Sequence, residues 1–146
     1  MKENPQTIRF LLNIDDGDKF VIDEDESTLT VVTTPGHQED HVCFYFEQKN
    51  DENVMFVGDH ILGSPQVVSN NLVDYMQSLY KLRKFTDCDK YALSHSIELT
   101  REEVLIPALP KLEAYIQFRE DRENQMKKTI EEKMGKYFTK HEIYNA

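Results

Sequence analysis

Three short runs place groups that can bind a metal or move a proton directly after strand-like segments. Thr34-Pro35-Gly36-His37 follows a β-branched run, with Asp40-His41 close behind. Gly58-Asp59-His60 closes a second apolar run, and Ser94-His95-Ser96 closes a third. Neutral imidazole with carboxylate suits Zn²⁺ and similar cations. Loops at strand ends are where a rigid sheet presents such ligands. The donors are dispersed and no compact motif joins them, so the pattern fits a metal site and also fits polar loop surface.

The elements that must position these residues change character near Pro65. Before it, strand and turn alternate with no helix between, which predicts antiparallel neighbours. Residues 7–13 read as a strand, Asp15-Asp16-Gly17-Asp18 as a turn, and residues 19–22 as the return strand of a hairpin. Thr28–Thr33, residues 41–47 and residues 54–57 are the next three strands. After Pro65, Leu72, Tyr75, Met76, Leu79, Tyr80 and Leu82 lie at helical spacing and predict a helix over 71–83. Residues 91–93 form a short strand. Thr100-Arg101-Glu102-Glu103 is a capping box that opens a helix at Arg101. Pro107 and Pro110 are expected to kink or interrupt it, and a long helix runs over 111–134 with Gly135 as its stop. Thr139-Lys140-His141-Glu142 is a second capping box close to the last residue, as though a further unit begins there. The expected division is 1–99 and 100–146.

The chain has 146 residues, room for one ordinary domain. With 17 basic and 27 acidic residues the net charge is −10, which disfavours broad contact with phosphate backbones but not a local metal site that takes one phosphodiester. The apolar runs are short, so no transmembrane helix and no membrane partner are expected. Neither a signal core nor an Arg-rich leader pattern opens the chain. Only Cys43 and Cys88 occur, which argues against a disulfide scaffold and fits a reducing compartment.

The runs VVTTPGHQEDHVCFYFE, NVMFVGDHILG, DYMQSLYKL and YALSHS resemble, in order, the second half of a metallo-β-lactamase-fold hydrolase. Within that superfamily the sequence is most similar to the beta-lactamase-like protein 2 group. That group carries TPGHTxDH, a GD-x-ILG segment, a D-Y-M-x-S-L helix, a PGHG loop, then a long helix with HRxxRExxI and a winged-helix domain. Phe118-Arg119-Glu120-Asp121-Arg122-Glu123 stands at the place of the helix pattern, and DDGDKF matches the turn upstream of TPGH. The resemblance implies a mixed α/β fold: the second half of an αββα sandwich, followed by a long helix and the start of a winged-helix segment. It implies two zinc ions in the complete site. His37 would bind the first, Asp59 would bridge both and His95 would bind the second, with Asp40 and His41 as supporting residues behind them. The implied activity is metal-dependent hydrolysis, with single-stranded RNA as the parent substrate and the mitochondrial matrix or cytosol as the location.

The departures are as informative as the matches. The superfamily's HxHxDH run, source of four of the usual seven ligands, does not occur: the histidines are His37, His41, His60, His95 and His141. The zinc site is therefore expected to be incomplete in this chain, with the first layer of the domain, and with it the true N-terminus, expected upstream of Met1. Ser94 and Ser96 replace two glycines around His95, and Gln38 replaces a threonine. His60 neighbours Asp59, but adjacent residues on an extended chain point to opposite sides. Asp40 and His41 could hydrogen-bond the ligands or simply pack the loop. Arg119, Arg122 and Glu123 have the spacing of a structural network on one helix face, and gripping RNA phosphate is the less favoured alternative. Cys43 reads as a core thiol, and Tyr75, Tyr80 and Tyr115 as packing residues with polar tips. The competing functions are a glyoxalase II-like thioester or lactone hydrolase and a non-catalytic, truncated or degenerate family member. A half-sandwich also predicts an uncovered apolar sheet face, drawn from alternate residues of Thr28–Thr33, 41–47 and 54–57, through which the chain could self-associate.

Overall fold

A computed structural model describes residues 13–22, 27–63, 67–95 and 104–133. Among the described residues six strands form one sheet in chain order: β1 (Lys19–Val21), β2 (Thr28–Thr33), β3 (Val42–Glu47), β4 (Val54–Phe56), β5 (Lys90–Ala92) and β6 (Leu105–Pro107). All neighbours are antiparallel except β4 and β5, which are parallel. Helix α1 (Leu72–Leu82) makes the crossover that a parallel pair requires. Helix α2 (Ala108–Glu132) follows β6.

Helix α1 forms where its apolar spacing predicts. Its N-cap Asn71 accepts from the amides of Val73 and Asp74, a cap worth about 1 kcal/mol. Tyr75, Ser78, Leu79 and Leu82 make its buried face. The core lies between this sheet face and the two helices. Tyr45, Met55 and Tyr91 stand in one cross-strand row against Leu79, Leu82, Leu112, Tyr115 and Ile116.

Two expectations are corrected here. Pro107 does not kink a helix, because residues 105–107 are strand β6, paired with β5 at Lys90↔Pro107 and Ala92↔Leu105. Proline fits the edge of a sheet, where no ladder donor is needed. Pro110 sits in the first turn of α2, whose amides have no intrahelical partner in any case. Strand β1 pairs with β2, and residues 7–12 of the expected hairpin lie outside the described residues. Both capping boxes and Gly135 also lie outside them, as does the expected start of the winged helix. On the C-terminal side of residue 100, β6 joins the common sheet, and Ala108, Leu112, Tyr115 and Ile116 join the common core.

The opposite sheet face is apolar as well. Cross-strand partners share a face, so Phe20, Leu29, Phe46 and Val54 form one row, and Val31, Phe44, Phe56, Ala92 and Leu105 form the next. Val31 and Ala92 are buried, while Phe20 and Phe56 are 44% and 46% exposed.

Candidate metal centre

The loop after β2 carries His37, the 3-10 turn Gly58–His60 after β4 carries Asp59, and the end of β5 leads into Ser94 and His95. Strands β2, β4 and β5 run in the same direction and thus deliver all three residues to one end of the sheet. The His37 Nε2 lies 3.8 Å from Asp59 Oδ2, and the His95 Nε2 lies 3.1 Å from Asp59 Oδ1. The two imidazoles address different oxygens of one carboxylate.

Each pose has a local cause. The His37 Nδ1–H donates to the Val68 carbonyl at 2.7 Å. That bond places a proton on Nδ1 and turns Nε2 toward Asp59, the orientation of a metal-binding ring. Gly36, at φ +129°, accepts from the amides of Asn70 and Asn71, so the loop is strapped to the start of α1. A Cβ on Gly36 would lie 2.6 Å from Tyr75 Cβ and closer still to the Tyr75 backbone. The Ser94 hydroxyl is 2.9 Å from both the Gly58 carbonyl and Asp59 Oδ1, and can donate to one of them at a time. Serine at a glycine position thus supports the carboxylate, a role that the sequence reading missed.

His41 stands behind the cluster. Its Nδ1 is 2.8 Å from Thr34 Oγ1, and its ring lies 6.0 Å from that of His37. Burial, then the neighbouring His37, push its pKa down. A Cβ on Gly58 would meet His41 Nε2 at 2.9 Å, which is why glycine with φ +50° suits that turn. Asp40 is exposed and acts on His41 only through its charge. His60 points inward: it is fully buried, with its ring 5.4 Å from His41 and 4.5 Å from Tyr75. Burial pushes its pKa down to about 3, so the ring is neutral. Tyr75 donates its hydroxyl to the His60 carbonyl at 2.7 Å.

The donor set fits zinc chemistry in kind, since it offers two imidazole Nε2 atoms and a carboxylate between them. In number it supplies two donors to each of two positions. Among the described residues no group of three or more His, Cys, Asp or Glu converges on one ion.

No protein-family model matches the chain. It is 37% identical over 118 residues to the lactamase-like protein nscB of Arthroderma gypseum, covering 80% of this chain and 34% of that protein. It is 39% identical over 118 residues to the lactamase-like protein adaB of Aspergillus niger, covering 81% and 33%. The chain spans about a third of the length of these curated relatives. Among solved structures, a metallo-beta-lactamase family protein from Thermus thermophilus superposes with a TM-score of 0.57 at 21% identity, over 87% of this chain and 40% of that one. An archaeal metallo-beta-lactamase superfamily protein from Sulfolobus tokodaii gives a TM-score of 0.52 at 17% identity, over 73% and 38%. With a mixed six-stranded sheet, helices α1 and α2 and the imidazole–carboxylate cluster among its described residues, the chain carries part of the metallo-β-lactamase fold.

Proposed function

We propose that this chain is one part of a zinc-dependent hydrolase and contributes the His37, Asp59 and His95 ligands of a two-metal centre. The observation that carries this reading is the placement of two imidazole Nε2 atoms on opposite oxygens of Asp59, one of them oriented by a backbone carbonyl. When bound there, zinc supplies Lewis-acid polarisation and activation of water near neutral pH. The chain's own residues hold the donors: Val68 sets the His37 tautomer and Ser94 braces Asp59. A catalytic zinc keeps three protein ligands and an open position, and this donor set offers fewer per ion.

Single-stranded RNA is the substrate carried forward from the resemblance. A thioester or lactone is the second reading, and one observation favours it. Arg119, the side chain with which an RNA phosphate could be gripped, bonds the Val67 carbonyl and covers the Tyr75 ring.

Zinc titration against a competing chelator, with an RNA-cleavage assay, tests the proposal on the 146-residue chain and on Asp59→Ala. The expected result is weak zinc binding that Asp59→Ala lowers about tenfold or more, and no measurable RNA cleavage. Joined to an upstream segment bearing HxHxDH, the chain should gain tight binding and turnover, both lost in Asp59→Ala. Equal zinc affinity in the two short chains would sink the metal reading. Metal-dependent RNA turnover by the short chain would overturn the ligand count.

A further inference from the structure

Helix α2 grips the backbone that follows the Asp59 turn with one row of side chains. Lys111, Tyr115 and Arg119 stand at i, i+4 and i+8, on one helix face. Lys111 Nζ donates to the Gly63 carbonyl at 2.7 Å. The Tyr115 hydroxyl accepts from the Leu62 amide at 2.8 Å and lies 2.9 Å from the Leu62 carbonyl, to which it donates. Arg119 donates to the Val67 carbonyl.

The Arg119 bond ends one residue from the carbonyl that orients His37, since Val68 accepts the His37 Nδ1–H. The Arg119 guanidinium also lies 5.1 Å from the Tyr75 ring centroid, within cation–π range. Tyr75 in turn packs on the His60 ring and bonds the His60 carbonyl, one residue after Asp59. One side chain on α2 therefore reaches both His37 and the Asp59 turn through a single intermediate each.

We propose that Arg119 is the positioning residue of the His37–Asp59–His95 cluster, holding His37 through the Val67–Val68 backbone and the Asp59 turn through Tyr75. Packing alone gives no reason for a guanidinium here. Its Nε is buried with no hydrogen-bond partner among the described residues, and an unpaired buried polar group is costly where an apolar chain of similar length would fill the space. Nor does joining α1 to α2 require it. Arg83 already does so, donating to both carboxylate oxygens of Glu113 and lying over the Tyr80 ring. The metal role of the cluster rests on the function proposed above, whereas the geometry of His37 does not.

The test reads the metal-free protein by long-range ¹H–¹⁵N spectra of its histidines and then its zinc affinity, in wild type, Arg119→Met, Arg119→Lys and Arg83→Met. In wild type His37 should show the Nδ1–H tautomer alone. Arg119→Met should give mixed tautomers at His37 and about tenfold weaker zinc binding. Arg119→Lys, which keeps a donor and a cation, should recover part of both. Arg83→Met should change neither. If Arg119→Met does not fold, Arg119→Gln, which keeps a donor without the charge, replaces it with the same expectation for His37. A wild-type His37 tautomer in the folded Arg119 variants, or an equal change in Arg83→Met, would overturn the proposal. A tautomer change in a chain that binds no zinc would uphold the positioning role and defeat the metal reading. Zinc binding with an unmoved tautomer would do the reverse.

Discussion

Gly36 offers the sharpest test of how the His37 loop is held. An alanine there meets two separate penalties. Its φ of +129° lies where L side chains rarely go, at a cost of about 1–3 kcal/mol. Its Cβ would also overlap the backbone of Tyr75, in the buried first turns of α1. Backbone cannot step aside as a flexible side chain can, and forced overpacking costs about 1–3 kcal/mol more. Gly17 is the internal control: it has φ +88°, but a Cβ there would meet nothing within 4 Å. Gly17→Ala should therefore lose about 1–2 kcal/mol through its backbone alone, and Gly36→Ala about 2–6 kcal/mol. Urea unfolding at fixed pH measures both. With an m-value of about 2 kcal/mol per molar, a 3 kcal/mol loss moves the midpoint down by roughly 1.5 M. His37 should also leave its Val68 partner, seen as a change in its ring ¹⁵N shifts. Equal midpoints for the two variants, within about 0.3 M, would refute the claim that α1 sits directly on this loop.

Burial pushes the Cys43 and Cys88 thiols up to about 12. Both should resist iodoacetamide in the folded protein at pH 8 and react once it is unfolded in urea; rapid native labelling of either would contradict their placement. The sign for stability follows: an unfolded thiol loses its proton near pH 9 and the folded one does not, so this contribution is complete below pH 9 and falls as pH rises toward 12. Tyr115→Phe keeps the ring but strips partners from both the amide and the carbonyl of Leu62, and should cost about 1–3 kcal/mol in the same unfolding assay; a neutral result would remove Tyr115 from the α2 clamp. The second sheet face, with Phe20 and Phe56 about half exposed, should bind anilinonaphthalene sulfonate in the native state, and Phe56→Lys should dim that fluorescence. A dark native protein would show the face to be covered.

The sequence by itself determined the features that are written within a few neighbouring residues. The apolar period of Leu72 to Leu82 defines α1, because the face a helix buries repeats over one to three turns. The β-branched and aromatic runs at Thr28–Thr33 and Val42–Glu47 define the central hairpin for the same reason. The types of the site residues, and their places just past strand ends, were also legible at His37, Asp59 and His95. Only the tertiary structure decided what depends on partners far away in the chain. Residues 105–107 became a strand because an edge of β5 was open to them, against a helical reading of the proline-flanked segment. His60 went inward because Tyr75 and His41 surround it, fifteen and nineteen residues away on separate elements. The division of labour at Asp59, one oxygen for each imidazole, arises from registers that span β2 to β5. Arg119 resolved as a clamp on Val67 only when α2 crossed the 52 residues between them. Local spacing names the groups that can act, but side-chain direction is set by long-range packing, where each contact must outweigh the entropy of ordering both partners.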